Sequence, residues 1–143
     1  AGAARRTEAG RDVALRADGG VARRRQGGSV EAVRVGADTV RAAGAVVNKA
    51  GTYGAALAGH RADVPVYAAC AVDKVAVDDG ASDESAADRA VYDGSRDVEV
   101  WAPRFDTTPA ALVTGGLLTD RGRLAADAID TVTEELTELR AWT

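Results

Sequence analysis

Two short runs of β-branched and small apolar residues flank a segment that has the features of a helix, and this alternation constrains the fold most strongly. Residues 32–35 predict one strand that ends at Gly36, and residues 64–69 predict another. Between them, Thr52 is suited to cap a helix that extends to Arg61. Strand–helix–strand spacing of this kind predicts right-handed parallel crossovers. We therefore expect an α/β fold in which flanking helices cover a mostly parallel sheet.

Weaker patterns predict further elements before and after this unit. Residues 12–17 predict a strand, residues 19–26 predict a short helix, and residues 45–47 form a short apolar run. Residues 78–97 are acidic, small and rich in turn formers, which is typical of a surface loop. Beyond the loop, the alternation at residues 98–101 predicts another strand.

The last part of the chain is predicted to be helical in two places. Thr108 followed by Pro109 is a helix-start signal, and we expect that helix to run to about residue 118. A C-terminal helix is expected over about residues 124–142. It carries an apolar seam, with spacings of four and three residues, made of Ala125, Ile129, Val132, Leu136 and Leu139. This seam could pack on the sheet of the same domain or form a zipper with another chain.

Composition excludes several classes of function. A net charge of −4 and a pI near 5.0 argue against non-specific nucleic-acid binding. The only dense basic run, residues 23–25, suits either a solvated helix end or a phosphate or RNA contact. The single cysteine, Cys70, and the single histidine, His60, leave no basis for a disulfide framework or for a metal cluster. No apolar run has the length of a membrane span, and the natural compartment is the reducing cytoplasm.

Large apolar residues are scarce for a chain of this size. With 143 residues the chain is expected to form one domain, here over residues 1–143. Its apolar residues are mostly valine and alanine, and each alanine buries little area. We therefore expect another chain, or a further segment, to complete the core. A homo-oligomer would satisfy that expectation.

Two of the 18 basic residues are lysines, and their positions give the best functional clue. Lys49 precedes the predicted helix start, and Lys74 follows the strand at 64–69. Asp38 follows the strand that ends at Gly36, at the sheet edge where α/β proteins bind ligands. One carboxylate facing two lysines suits a small phosphorylated substrate, with aspartate for proton transfer and lysine for the phosphate. The alternative is that Asp38 caps a turn and both lysines are surface charges.

The predicted helix start adds backbone amides to this candidate site. Asn48, Lys49, Gly51 and Thr52 are expected to lie there together. Helix N-termini bind anions because their first amide groups are not used within the helix. These residues, with the lysine beside them, therefore predict an anion site.

Four ordered motifs resemble the initiation factor 2B alpha/beta/delta family, which includes ribose-1,5-bisphosphate isomerase and methylthioribose-1-phosphate isomerase. They are Gly-Ala-Asp at residues 36–38, Val-Asn-Lys-Ala-Gly-Thr-Tyr at 47–53, Val-Pro-Val-Tyr at 64–67 and Pro-Arg-Phe-Asp-Thr-Thr-Pro at 103–109. The resemblance covers roughly residues 10–120. It implies a Rossmann-like C-terminal domain, so that this chain corresponds to a C-terminal half-protein. It also implies assembly into oligomers.

The resemblance also implies residue roles. In the isomerases of this family the motif aspartate is catalytic, and Asp38 matches it. The Asn-Lys pair contacts the sugar phosphate, which implies that role for Asn48 and Lys49. A lysine after the later strand is found in the bisphosphate isomerases and is matched by Lys74, so this lysine favours that branch over the methylthioribose branch. No cofactor is implied.

Departures from the family pattern keep other functions open. The isomerases also use a cysteine and upstream arginine and serine residues, and Cys70 does not match that cysteine. Ala102 replaces the usual asparagine before the last motif. Asp106 and Thr108 either contact a ligand or organise a turn. The functional alternatives are a sugar-phosphate isomerase of the ribose-1,5-bisphosphate type, a non-catalytic regulatory or assembly subunit that binds a sugar phosphate or nucleotide, and a truncated, inactive remnant.

Overall fold

The computed structural model describes residues 30–75, 94, 96–125 and 128–142. The strand predicted at 12–17, the helix predicted at 19–26 and nearly all of the predicted loop at 78–97 lie outside these ranges. The described elements, in chain order, are strands β1 (Val33–Gly36), β2 (Thr39–Val40) and β3 (Val46–Lys49), helix α1 (Thr52–Arg61), strands β4 (Val66–Ala69), β5 (Phe105–Thr108), β6 (Gly116–Thr119) and β7 (Gly122–Leu124), and helix α2 (Ile129–Arg140). One-turn 3-10 helices follow β4 at Val72–Lys74 and β5 at Ala110–Leu112.

The larger sheet has the strand order β1-β4-β6-β7. Strands β1, β4 and β6 are parallel, and β7 returns antiparallel to β6. The ladder pairs Val33 with Val66 and Gly36 with Ala69, so β1 and β4 end at the same edge. The predicted α/β class, with parallel strands and flanking helices, is therefore confirmed.

A second, three-stranded sheet has the order β2-β3-β5 and is antiparallel throughout. The apolar run predicted at 45–47 becomes β3, which extends to Lys49 and pairs with the distant strand β5. An isolated parallel bridge between Val40 and Val75 links β2 to the segment after β4. This sheet places a second layer of backbone beside the carboxyl edge of the larger sheet.

Helix α1 has the predicted bounds. Leu57 and His60 are exposed on it. The buried residues of α1 are Thr52, Ala56 and Gly59. A Cβ atom on Gly59 would lie 2.7 Å from Val66 Cγ2, so the absence of a side chain there lets the helix approach β4 closely.

The C-terminal helix is present as α2, shorter at both ends than predicted. Ile129 and Val132 are buried in the main core, and Leu136 packs partly against it. Leu139, the last residue of the predicted seam, is 60% exposed. Ala125, the first residue of the seam, lies outside α2 and is exposed. The first turns of α2 pack on the chain's own core, as the intramolecular alternative required. The core members from the strands and their connections are Val40, Val46, Ala68, Val72, Val75, Val113 and Leu117.

Two predicted elements are wrong. Residues 97–102 have no regular secondary structure, and Val98 and Trp101 are 52% and 89% exposed, while Val100 is half-buried. The helix expected from Thr108 to about residue 118 is replaced by the end of β5, one 3-10 turn and strand β6. Gly116 has a φ of 85°, which ends any helix before the apolar run that follows. A short apolar run cannot be assigned to helix or strand by periodicity alone, and here sheet pairing decides it.

Candidate functional site

Asp38 lies just beyond the carboxyl end of β1, where the sequence placed it. The Ala37 amide donates to the Ala69 carbonyl, and the Asp38 amide donates to the Val47 carbonyl at 2.9 Å. These bonds tie the turn to both sheets. The Asp38 side chain is 52% exposed, so its carboxylate faces solvent at the sheet edge.

Lys49 ends β3 and points its ammonium toward Asp38. Its Nζ lies 4.0 Å from Asp38 Oδ2 and 3.6 Å from the centre of the Phe105 ring. The β3–β5 register places Phe105 directly opposite Lys49, which explains the ring contact. The lysine side chain is 67% exposed, so the ion pair is weak and the cation remains accessible to an anion.

Asn48 is held by the first residue of the helix. Its Nδ2 donates to Thr52 Oγ1 at 2.9 Å, and Thr52 Oγ1 donates to the Lys49 carbonyl at 2.8 Å. Thr52 is 6% exposed. A Cβ atom on Gly36 would lie 3.4 Å from Asn48 Oδ1, so the glycine at the end of β1 leaves room for the amide. Thr52 therefore orients Asn48 from a buried position, and it does not cap α1 as the sequence suggested.

The cap of α1 comes from strand β5. Asp106 Oδ2 accepts hydrogen bonds from the Gly51 amide at 2.7 Å and from the Tyr53 amide at 3.0 Å. Gly51 has a φ of 105°, a conformation that favours glycine, and no atom lies within 4 Å of where its Cβ would be. Two amides of the predicted anion site are thus already bonded to a carboxylate of the protein. The pairing of Asn48 with Asp106 that makes this cap possible has no local sequence signal.

Lys74 is exposed in the 3-10 turn after β4, and its amide donates to the Ala71 carbonyl. Among the described residues, no ion pair joins it to Asp38. The structure therefore brings together Asp38, Asn48, Lys49, Gly51 and Thr52, and leaves Lys74 on the neighbouring segment of the same edge.

Cys70 follows β4 and packs partly against the main core. Burial raises the pKa of its thiol, and the nearby carboxylates of Asp120 and Asp73 raise it further, while Lys74 opposes them. A thiol with a raised pKa is a poor nucleophile. In this environment Cys70 acts as a small packing residue.

Within residues 30–75, 94, 96–125 and 128–142, no group of three or more histidine, cysteine, aspartate or glutamate side chains is arranged to hold a metal ion. None of the helices in the same ranges is long and apolar enough to cross a membrane. Asp38, Lys49 and Asn48 together provide one exposed carboxylate, one exposed ammonium and one oriented amide. Such a set can bind an oxyanion and relay a proton.

These features define a domain of a known family: the chain belongs to the initiation factor 2 subunit family, which matches residues 3–126. Methylthioribose-1-phosphate isomerase of Albidiferax ferrireducens is 43% identical over 108 residues, which cover 68% of this chain and 30% of that protein. The enzyme of the same name from Gemmatimonas aurantiaca is 37% identical over 120 residues, covering 81% of this chain and 35% of that protein. The chain thus spans about a third of the length of these relatives.

Solved structures agree with this assignment. The 5-methylthioribose 1-phosphate isomerase of Pyrococcus horikoshii OT3 matches with a TM-score of 0.74 and 31% identity over 91% of this chain and 38% of that one. The translation initiation factor eIF-2B subunit delta of A. fulgidus matches with a TM-score of 0.72 and 28% identity, over 90% of this chain and 41% of that one. The resemblance drawn from the four motifs is confirmed at the level of the family.

Proposed function

We propose that this chain is the sugar-phosphate-binding part of an aldose–ketose isomerase. The observation that carries the proposal is the convergence of Asp38 and Lys49 at the carboxyl edge of β1, with Lys49 Nζ 4.0 Å from Asp38 Oδ2. In this assignment Asp38 relays the proton between the two substrate carbons. Lys49 and Asn48 hold the substrate phosphate or oxygens, because the Lys49 ammonium is placed by the Phe105 ring, the Asn48 amide is oriented by Thr52, and neither residue is buried.

The other two site residues of the helix start act on the residues around them. Gly51 provides the left-handed turn between β3 and α1, and Thr52 orients Asn48. Both are therefore proposed to shape the site, and direct contact with the ligand is assigned to Asn48 and Lys49.

Two phosphate esters are candidate substrates. The similarity to proteins named methylthioribose-1-phosphate isomerase favours methylthioribose 1-phosphate. Lys74 favours ribose 1,5-bisphosphate, because an exposed lysine at the same sheet edge could bind a second phosphate. A comparison of the two ligands on wild-type chain and on Lys74→Met separates them, because the loss of this lysine weakens only a ligand whose second phosphate it binds.

A non-catalytic regulatory or assembly role is the second candidate. It is supported by the similarity to an eIF-2B delta subunit and by the mismatch of Cys70 with the cysteine that the isomerases use. In that role the same edge binds a sugar phosphate or a nucleotide. Assembly into a homo-oligomer is part of both candidates, and a cytoplasmic location remains a prediction from the single cysteine.

Calorimetry followed by a turnover assay tests the proposal. The wild-type chain, Asp38→Asn and a matched control, Asp63→Asn, are titrated with both sugar phosphates; Asp63 is an exposed aspartate with a φ of 53°, which asparagine tolerates. We expect all three to bind. Ketose formation should fall by about a hundredfold or more in Asp38→Asn alone, the range for loss of a proton-transfer group. Binding without any wild-type turnover would favour the regulatory candidate, and absence of binding would refute both.

A further inference from the structure

The start of helix α1 is already bonded to an anion, and that anion belongs to the protein. Asp106 Oδ2 lies 2.7 Å from the Gly51 nitrogen and 3.0 Å from the Tyr53 nitrogen. Amides at this position are those that hold phosphate groups at helix N-termini in other proteins. A ligand phosphate at this helix start would have to compete with the Asp106 carboxylate.

The same strand supports the segment before the helix. The β3–β5 ladder places Asp106 opposite Asn48, and the Ala50 amide donates to the Arg104 carbonyl at 2.9 Å. Strand β5 thus fixes Asn48 and Lys49 by backbone pairing, Arg104 before it fixes Ala50, and the Asp106 carboxylate fixes residues 51–53. Asp106 Oδ1 is buried and has no hydrogen-bond partner within the described residues. Both hydrogen bonds of this side chain to the helix start are therefore accepted by Oδ2.

We infer that Asp106 is a positioning residue of the site: its carboxylate is the resident anion of the α1 N-terminus and keeps Asn48 and Lys49 in place. The ligand phosphate is accordingly held by the Lys49 and Asn48 side chains and not by the Gly51 and Tyr53 amides. The effect on ligand affinity rests on the proposed function. The effect on the two amides does not, and it can be measured in the absence of any ligand.

Three variants of the chain test the inference. Asp106→Ala removes the acceptor, and Asp106→Asn keeps an oxygen that can accept both bonds while removing the charge. Asp130→Asn is the matched control, because Asp130 is an exposed acidic residue in the first turn of α2. Amide hydrogen exchange is measured at Gly51 and Tyr53 by NMR. Calorimetry gives the affinity for methylthioribose 1-phosphate and, as a separate probe, for inorganic phosphate.

We expect Asp106→Ala to speed exchange at both amides by about fivefold or more, the factor that matches the usual loss of an N-cap. Its affinity for the sugar phosphate should fall by about the same factor, because residues 51–53 are released and Thr52, which orients Asn48, lies among them. Asp106→Asn should keep the exchange rates of the two amides and the sugar-phosphate affinity within about threefold of wild type, since asparagine caps helices as well as aspartate. Inorganic phosphate should not bind more tightly to either Asp106 variant. Asp130→Asn should change neither the exchange of the two amides nor the ligand affinities.

Clear results would overturn the inference. Tighter binding of inorganic phosphate by Asp106→Ala would show that the amide pair is itself a phosphate site. Unchanged exchange in a folded Asp106→Ala chain, checked by circular dichroism, would show that the carboxylate does not hold the segment. If Asp106→Ala does not fold, Asp106→Asn is the deciding variant. A loss of sugar-phosphate affinity while the Gly51 and Tyr53 amides stay protected would refute a positioning role. Retained affinity together with retained protection would support it. A wild-type chain that binds no sugar phosphate refutes the proposed function, while exchange still tests the cap.

Discussion

Replacing Lys49 by methionine should separate binding from stability. The lysine contacts two groups: the Phe105 ring centre at 3.6 Å and Asp38 Oδ2 at 4.0 Å from its Nζ. Methionine retains an unbranched side chain of similar length that can still pack on the ring. The substitution therefore removes the charge and little of the packing.

The expected loss of stability is smaller than the expected loss of ligand affinity, because the lysine is 67% exposed. A solvated cation on an aromatic ring contributes about 0.5–1 kcal/mol, and an exposed ion pair about 0.2–1 kcal/mol. At 4.0 Å and with both partners exposed, the ion pair belongs at the low end of that range. Lys49→Met should therefore destabilise the chain by about 1 kcal/mol or less. Loss of a charge-assisted hydrogen bond to a phosphate costs about 1.5–3 kcal/mol, or about ten- to a hundredfold in affinity.

Urea unfolding measures the change in stability, and calorimetry with methylthioribose 1-phosphate measures the change in ligand affinity. Lys74→Met is the matched control, because it removes the other lysine of the chain from an exposed position. It should change the affinity for this monophosphate by less than about threefold. The reasoning is refuted if Lys49→Met leaves the affinity unchanged, or if it destabilises the chain by more than about 2 kcal/mol, which would indicate a structural role.

Three further substitutions test the packing and the pH dependence. Gly59→Ala places a methyl group 2.7 Å from Val66 Cγ2, so overpacking of about 1–3 kcal/mol should outweigh the helix-propensity gain of about 1 kcal/mol. Gly54→Ala on the same helix is the control, because its added methyl group meets no atom within 4 Å and should stabilise the chain. If Gly59→Ala and Gly54→Ala stabilise the chain equally in urea unfolding, the close approach of α1 and β4 is contradicted. Burial raises the pKa of the Cys70 thiol. The folded chain therefore keeps a proton that the unfolded chain releases above pH about 8.5. Because the unfolded chain then binds fewer protons, the free energy of unfolding should decline as the pH rises beyond that value. Cys70→Ala should remove this part of the decline between pH 8 and 10, and an identical slope in the two proteins would contradict the assignment.

Local patterns predicted those elements whose signals lie within a single segment. Helix α1 has the bounds predicted from Thr52 to Arg61, and strands β1 and β4 fall within the predicted runs. The helix expected after Thr108 is wrong because Gly116, with a φ of 85°, and the sheet pairing of the following apolar run outweigh a local helix-start signal. Alternation at 98–101 likewise carried no information on burial, since Trp101 is almost fully exposed.

The position of Asp38 was predictable because ligand-binding residues of α/β proteins follow the carboxyl ends of parallel strands. Lys49 instead ends a strand of the antiparallel sheet, and its Nζ lies 4.0 Å from Asp38 Oδ2. The role of Thr52 was misassigned, and Asp106 was not recognised as the cap of α1. Gly51 and Asp106 are 55 residues apart, so no spacing rule connects them.

By itself, the sequence determined the α/β class, the bounds of α1, the family and the group of polar residues at the strand ends. These depend on composition, short-range periodicity and ordered motifs, which act within a few residues. Only the tertiary structure decided the second sheet, the contact of Phe105 with Lys49 and the capping of α1 by Asp106. The physical reason is register: the pairing of β3 with β5 joins segments more than fifty residues apart, and it is selected by packing of the whole domain and not by either strand alone.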